Sequence, residues 1–420
     1  MSQATRPCLG SAAKRIGRRA ALQAAGPAAL VVAGFPALIG APARAQGGNP
    51  ILETAAGKLR GASAGGVHSF KAIPYAASTE GAGRFLPPAK VIPWAGVRDA
   101  VRFGNSAPQI ASEPDPLSSW YSTIESISED CLSLNVFTPG LDGAKRPVMV
   151  WIHGGAWGNC AGSAPGFDGS NLAKNGDVVV VTVNHRLNVF GYIQLDDRDE
   201  RFADAGNTGV LDLVAALRWV RDNAAACGGD PGNVTIFGQS GGGAKVSALF
   251  AMPAARGLFH RAIAQSCSGS LRLCGQEEAA RLTHGLAQQL GMDGATGAAL
   301  QAVPVQRIIA ALQAMPRAFR PVLDGRNFSQ HPFDPAAPSI SSDIPFMVGN
   351  AATEATLYLA ADPKNFSLDI VEVRRPALLA SCFPRPFSRT FDRSFATVGR
   401  CCGYVSASAV GNAGGRVMSC

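Results

Sequence analysis

Two short runs in which nearly every position is apolar, at 147–152 (PVMVWI) and 178–183 (VVVVTV), stand out in a chain that elsewhere mixes hydrophobic and polar residues. Continuous apolar runs of that length mark strands buried on both faces, and such strands belong to parallel sheets. Between 207 and 226 the apolar residues change period, with Leu211, Val214, Ala215 and Leu217 preceding Trp219 and Val220 at helical spacing. The glycine- and proline-rich stretch GGDPG at 228–232 then signals a turn, 234–237 is β-branched and apolar, and 244–250 is again apolar. Strand, helix, strand, turn and helix in that order predict an α/β fold with a doubly wound, mostly parallel sheet. No internal repeat or low-complexity linker interrupts residues 50–370.

Candidate chemistry sits where those elements join. Ser240 lies in Gly238-Gln239-Ser240-Gly241-Gly242, directly after a predicted strand and directly before a predicted helix. That context defines a nucleophile elbow, in which a sharp strand-to-helix turn lifts the serine hydroxyl out of the sheet and faces it to a helix N-terminus. His153-Gly154-Gly155-Ala156-Trp157 follows the strand ending at Ile152. Acyl transfer through a tetrahedral intermediate needs backbone N–H groups aimed at the developing oxyanion, and glycines let the backbone approach closely. The loop fits that need, with His153 expected to orient it rather than act as base.

Charge and cysteine usage refine this reading. The net charge of +8 is concentrated at the ends: residues 1–45 hold six basic and no acidic residues, and residues 371–420 hold seven arginines against two acids, which leaves the interior slightly acidic. Nucleic-acid binding is not expected of such a chain. Lys14 to Arg19, with a twin arginine at Arg18-Arg19, the apolar stretch 20–39 and Ala43-Arg44-Ala45 resemble an export signal, so residues 1–45 are expected to be removed and the mature chain to work in the periplasm or outside the cell, with no stable membrane span. Cys267 and Cys274 are close enough in sequence to suggest a disulfide, whereas Cys131, Cys160 and Cys227 read as small buried hydrophobes. No cysteine pair has zinc spacing, so neither a metal nor a cofactor is expected.

From about Thr54 to Asp369 the chain resembles the type B carboxylesterases, the α/β-hydrolase family that includes the cholinesterases. The likeness is carried by FKAIPYA at 70–76, SEDCLSLNV at 128–136, NHRL at 184–187 and GGDP at 228–231 leading into the elbow. It implies an α/β-hydrolase domain over 46–375, hydrolysis of small carboxylic esters through an acyl-enzyme on Ser240, and Glu354 as the acid that orients a catalytic histidine. It also implies a structural ion pair between Arg84 and Glu129, and an oxyanion hole formed by the backbone N–H groups of Gly154, Gly155 and Gly241. The family's usual upstream cysteine is replaced by Ala107, so Cys131 should be a free, buried thiol.

The departure that matters most for activity is the base. The family places its catalytic histidine well beyond the acid, yet no histidine follows Glu354 in this chain, and His68, His185, His260, His284 and His331 do not occupy a suitable place in the order Ser, acid, His. After Ile370 there is no isoleucine, lysine, histidine or tryptophan, and the periodicity is lost. Residues 376–420 are therefore expected to be an out-of-frame tail and the C-terminal part of the domain to be incomplete. The expected function is an ester hydrolase impaired by a missing base, with a catalytically dead remnant or non-catalytic relative as the alternative.

Overall fold

The computed structural model describes residues 49–354, apart from 112–118, 123, 125, 196–198, 268–271, 316–318 and 353, together with 417–419. The chain divides into two compact units, Met1–Gly47 and Gly48–Cys420, and all described residues belong to the second. The expected signal segment and most of the expected tail lie outside the described residues.

A nine-stranded mixed sheet organises the second unit. Its strands are β1 (Ala62–Ala64), β2 (Val67–Pro74), β3 (Ser133–Thr138), β4 (Arg146–Ile152), β5 (Val179–Val183), β6 (Gly229–Gln239), β7 (Arg261–Gln265), β8 (Phe346–Gly349) and β9 (Val417–Ser419). The spatial order is β9-β8-β7-β6-β4-β5-β3-β2-β1. β1, β2, β3 and β5 pair antiparallel in succession, whereas β5, β4, β6, β7, β8 and β9 are mutually parallel. All five residues of β5 are buried, as its unbroken apolar run requires. Helix α1 (Thr208–Asn223) and helix α2 (Gly241–Ala251), which follows β6 directly, cover the sheet with largely buried sequences, and α3 (Gln276–Leu290) and α4 (Val305–Gln313) follow further along the chain.

The order of the parallel strands sets the position of the site. From β4 the chain steps to β5 on one side, and through α1 to β6 on the other side of β4. That reversal opens a crevice at the C-terminal ends of β4 and β6, the place where open α/β sheets accept ligands. Ile152 and Gly238 are register partners at those ends, so the loops that follow them, residues 153–157 and Ser240, emerge side by side.

Several expectations are revised in detail. The turn at 228–232 contracts to Gly228, which has φ +77°, and β6 begins at Gly229. Pro231 is accommodated because the β4–β6 register shifts between Arg146 and Val148, relieving the ladder of the hydrogen bond proline cannot make. The disulfide suggested for Cys267 and Cys274 does not form, and both are free and buried. Cys267 lies just past β7, whereas Cys274 is held in a separate two-stranded ladder with Val322, so proximity in sequence does not bring the two side chains together. Cys131 is a free, buried thiol as expected, and burial first, with Asp212 next, holds its proton far more tightly than usual. At the far edge, Val417–Ser419 pairs with Phe346–Val348. Backbone ladder bonds do not depend on side-chain identity, so a tail without helical or strand period still supplies an edge strand.

Candidate active site

Ser240 caps α2 at the end of β6 with φ 57° and ψ −123°, a conformation that L-residues adopt only under strain of about 1–3 kcal/mol. The surroundings hold it there: its N–H donates to the Gln265 carbonyl of β7 at 2.8 Å, and its own carbonyl accepts from Ala244 at 3.1 Å. Ser240 is half-buried and Gln239 exposed, so this turn reaches the surface of the molecule. The sequence motif and the strained geometry coincide at the same residue.

The glycine loop reaches the serine from β4. A side-chain carbon added to Gly154 would lie 2.9 Å from the Gln239 carbonyl and 3.6 Å from Ser240 Cβ. One added to Gly241 would collide with the backbone of Ala156, including its nitrogen at 2.5 Å. Gly241, which stands where the resembling family more often has alanine, is thus the residue that allows this close approach. Among the described residues, no backbone acceptor is assigned to the N–H groups of Gly154, Gly155, Ala156 or Gly241. Free N–H groups clustered beside a nucleophile are what an oxyanion requires. Ala156, with φ 51°, joins the three expected donors; a non-glycine residue gave no sign in the sequence that it would take a left-handed conformation.

Behind this loop lies a buried polar cluster. His153 and His185 are fully buried and stacked, with ring centroids 4.8 Å apart. Nδ1 of His153 donates to the Gly154 carbonyl at 3.0 Å, and Nδ1 of His185 to the Arg186 carbonyl at 2.8 Å. A carbonyl only accepts, so each Nδ1 carries the proton. Burial first, and Lys245 next, push both imidazoles well below their usual pKa, so they are neutral. Lys245, on α2, is itself completely buried. Its Nζ donates to the carbonyls of His153 at 3.0 Å and Gly154 at 3.3 Å and stands 5.8 Å from the Trp157 ring centroid. Burial lowers its pKa from 10.5 to about 7, and the neighbouring Cys160 thiol only partly opposes this. No spacing rule marked this lysine, because a single lysine in an apolar helix carries no periodic signal.

Glu354 lies just past β8 at the same C-terminal edge, half-buried, where Oε1 accepts from the Ala351 N–H at 2.7 Å. The Cys267 thiol, just past β7, is raised in pKa, by burial first and in smaller part by the Glu354 carboxylate. One strand, β7, separates β8 from β6, so Glu354 follows a strand two places from the one that ends at Ser240. Among the described residues no histidine is hydrogen-bonded to Ser240 or Glu354. His68 bonds Ser63 and His284 bonds Gln288, while His260 and His331 accept from the N–H groups of Val234 and Leu273. His153 and His185 reach the right edge of the sheet but lie buried behind the glycine loop.

The expected ion pair is present: Arg84 Nε and Nη2 donate to the two Glu129 oxygens at 2.6 and 2.7 Å, and both side chains are buried. Among the described residues no helix is long and apolar enough to cross a membrane.

Comparison with known proteins bears on the same residues. A model of the carboxylesterase family matches residues 48–384, and so runs past Arg375. The para-nitrobenzyl esterase of Bacillus subtilis is 38% identical over 353 residues, covering 82% of this chain and 71% of that protein. The phenmedipham hydrolase of Pseudarthrobacter oxydans is 38% identical over 326 residues, covering 75% of this chain but only 64% of its own length. Among solved structures, a carboxylesterase of Geobacillus stearothermophilus superimposes with a TM-score of 0.70 at 42% identity, over 80% of this chain and 70% of that one. An esterase of Clostridium hathewayi, described as hydrolysing aliphatic aromatic polyesters, superimposes with a TM-score of 0.71 at 35% identity, over 88% of this chain and 78% of that one.

Proposed function

The chain belongs to the carboxylesterase family and has its α/β-hydrolase fold, and from that premise we propose that it carries the acyl-transfer machinery of a carboxylic ester hydrolase, with Ser240 as nucleophile. The observation that carries this reading is the strained Ser240 elbow facing the free N–H groups of the glycine loop. In the proposed reaction Ser240 Oγ adds to the ester carbonyl carbon, and the carbonyl oxygen takes up negative charge beside the N–H groups of Gly154, Gly155, Ala156 and Gly241. Collapse of that adduct expels the alcohol and leaves an acyl ester on Ser240, which water then cleaves. Glu354 is assigned the role of the carboxylate that orients an imidazole, on the strength of the family resemblance, and no histidine follows it in the sequence. Turnover by this chain is therefore expected to be feeble, at the residual level of about 10³–10⁴-fold over water that oxyanion stabilisation and binding contribute without a complete triad. The small-molecule substrate is a carboxylic ester, and no cofactor takes part.

The deciding measurement is nitrophenolate release from a short-chain nitrophenyl ester by the full chain and by Ser240→Ala. A slow rate that vanishes in Ser240→Ala supports the reading. A rate no different from Ser240→Ala favours a non-catalytic remnant, and fast Ser240-dependent turnover would reveal a base among the six histidines. Export is part of the same proposal: the twin arginine and Ala43-Arg44-Ala45 point to a mature N-terminus at Gln46 in the periplasm or beyond, which N-terminal sequencing of exported protein would test.

A further inference from the structure

The peptide between His153 and Gly154 has its carbonyl on His153 and its N–H on Gly154, and the next peptide has its carbonyl on Gly154 and its N–H on Gly155. Lys245 Nζ donates to both of those carbonyls, at 3.0 and 3.3 Å, and His153 Nδ1 shares the Gly154 carbonyl at 3.0 Å. The two peptides that carry the Gly154 and Gly155 N–H groups are thus both gripped at their carbonyl ends by one side chain. Lys245 sits on α2 five positions after Ser240, so the helix that carries the nucleophile also carries this grip.

We propose that Lys245 is a positioning residue for the oxyanion loop, tying the carbonyl ends of the Gly154 and Gly155 peptides to the nucleophile helix and polarising their N–H groups toward the substrate oxygen. The inference rests on the esterase reading and deepens it. A hydrogen bond donated to a peptide carbonyl draws electron density along the amide and makes its N–H a stronger donor, more so in a dry interior. Among the described residues no carboxylate is paired with Lys245, and a lysine that only filled space would be replaceable by a hydrocarbon without desolvating an amine. Its lowered pKa fits a group facing the Cys160 thiol and two neutral imidazoles, His153 and His185, rather than an anion. Either protonation state suffices for the grip, since even the neutral amine has two N–H donors.

The test compares the full chain with Lys245→Met, which keeps the length and removes the donor, and Lys245→Gln, which keeps an N–H donor without the charge. Two readouts are taken: Ser240-dependent nitrophenolate release, and amide hydrogen exchange of the peptide spanning residues 152–158 with that of α1 as reference. The expected result for Lys245→Met is a loss of about 10- to 100-fold in the rate constant with KM unchanged, and faster exchange confined to the loop. Lys245→Gln should recover part of both. A Met variant with wild-type rate and wild-type loop exchange overturns the proposal, as does faster exchange in α1 and loop alike in both variants, which would mean a purely structural role. If no variant, including the parent, exceeds Ser240→Ala in release, the esterase reading fails on its own, and loop exchange alone decides whether Lys245 holds the loop.

Discussion

Arg186 and Lys245 are both fully buried cationic side chains near the C-terminal edge of one sheet, and the protein handles them in opposite ways. Arg186 is matched by Asp212: Nε and Nη2 donate to its carboxylate at 2.9 and 2.6 Å, the Arg186 backbone N–H donates to it at 3.0 Å, and Nη1 finds only the Leu86 carbonyl. Lys245 has carbonyls and, among the described residues, no carboxylate. The first arrangement keeps a charge permanently in the interior to brace the segment after β5. The second lets the charge go, since a buried amine without an anion sheds its proton near neutral pH, and keeps the hydrogen bonds. Arg84 stands between them, with the Glu129 carboxylate and also the carbonyls of Leu300, Gln301 and Val303. The interior thus grades from charge matched by charge to a group matched by dipoles alone, and the latter sits behind the nucleophile.

The comparison breaks most forcibly at Asp212. Asp212→Asn leaves Arg186 charged, buried and short of its anion, and should destabilise the fold by about 3–5 kcal/mol in urea titrations. Glu129→Gln should cost less, about 2–3 kcal/mol by the same measurement, because Arg84 retains its carbonyl acceptors. If the two losses are equal, carbonyls contribute nothing to holding a buried guanidinium and the grading is wrong.

Lys245 gives the comparison a pH dependence of fixed sign. The folded state holds its proton with a pKa of about 7 and the unfolded state with one near 10.5, so between those values the unfolded chain binds the extra proton. Stability should rise with pH through that window, by at most about 1.4 kcal/mol per pH unit for one proton, and the penalty should be complete below about 7. Lys245→Met should remove this part of the slope, which urea titrations of both proteins between pH 7.5 and 9 would read. The smallest effect belongs to the surface: Glu53, paired with Lys58 at 2.6 Å with both side chains more than half exposed, should tolerate Glu53→Gln within about 0.5 kcal/mol.

The motifs legible in the sequence were those built from neighbours along the chain. The elbow around Ser240 and the loop 153–157 announce themselves because glycines and a nucleophile within five residues are needed at one turn, and the apolar runs at 147–152 and 178–183 announce the strands that present them. The Arg84–Glu129 pair was reachable only through family resemblance, and the suggested Cys267–Cys274 bridge failed because spacing along the chain carries no information about which way two side chains face. Ala156 and Lys245 gave no local signal, since an alanine in a left-handed turn and a lysine in an apolar helix are ordinary letters.

The sequence alone determined the class of fold, the order of strand, loop and turn, and the serine that sits at the strand-to-helix turn, because periodicity and turn chemistry act over a few residues and do not need the rest of the molecule. Only the tertiary structure decided that β4 and β6 would be neighbours, with Ile152 beside Gly238, and that Lys245 would lie beneath the glycine loop. It also set the strand that precedes Glu354 two places from the strand that ends at Ser240. Those juxtapositions come from strand order and helix packing, which join residues from distant parts of the chain. The protonation states of His153, His185 and Lys245 depend on the burial that packing creates.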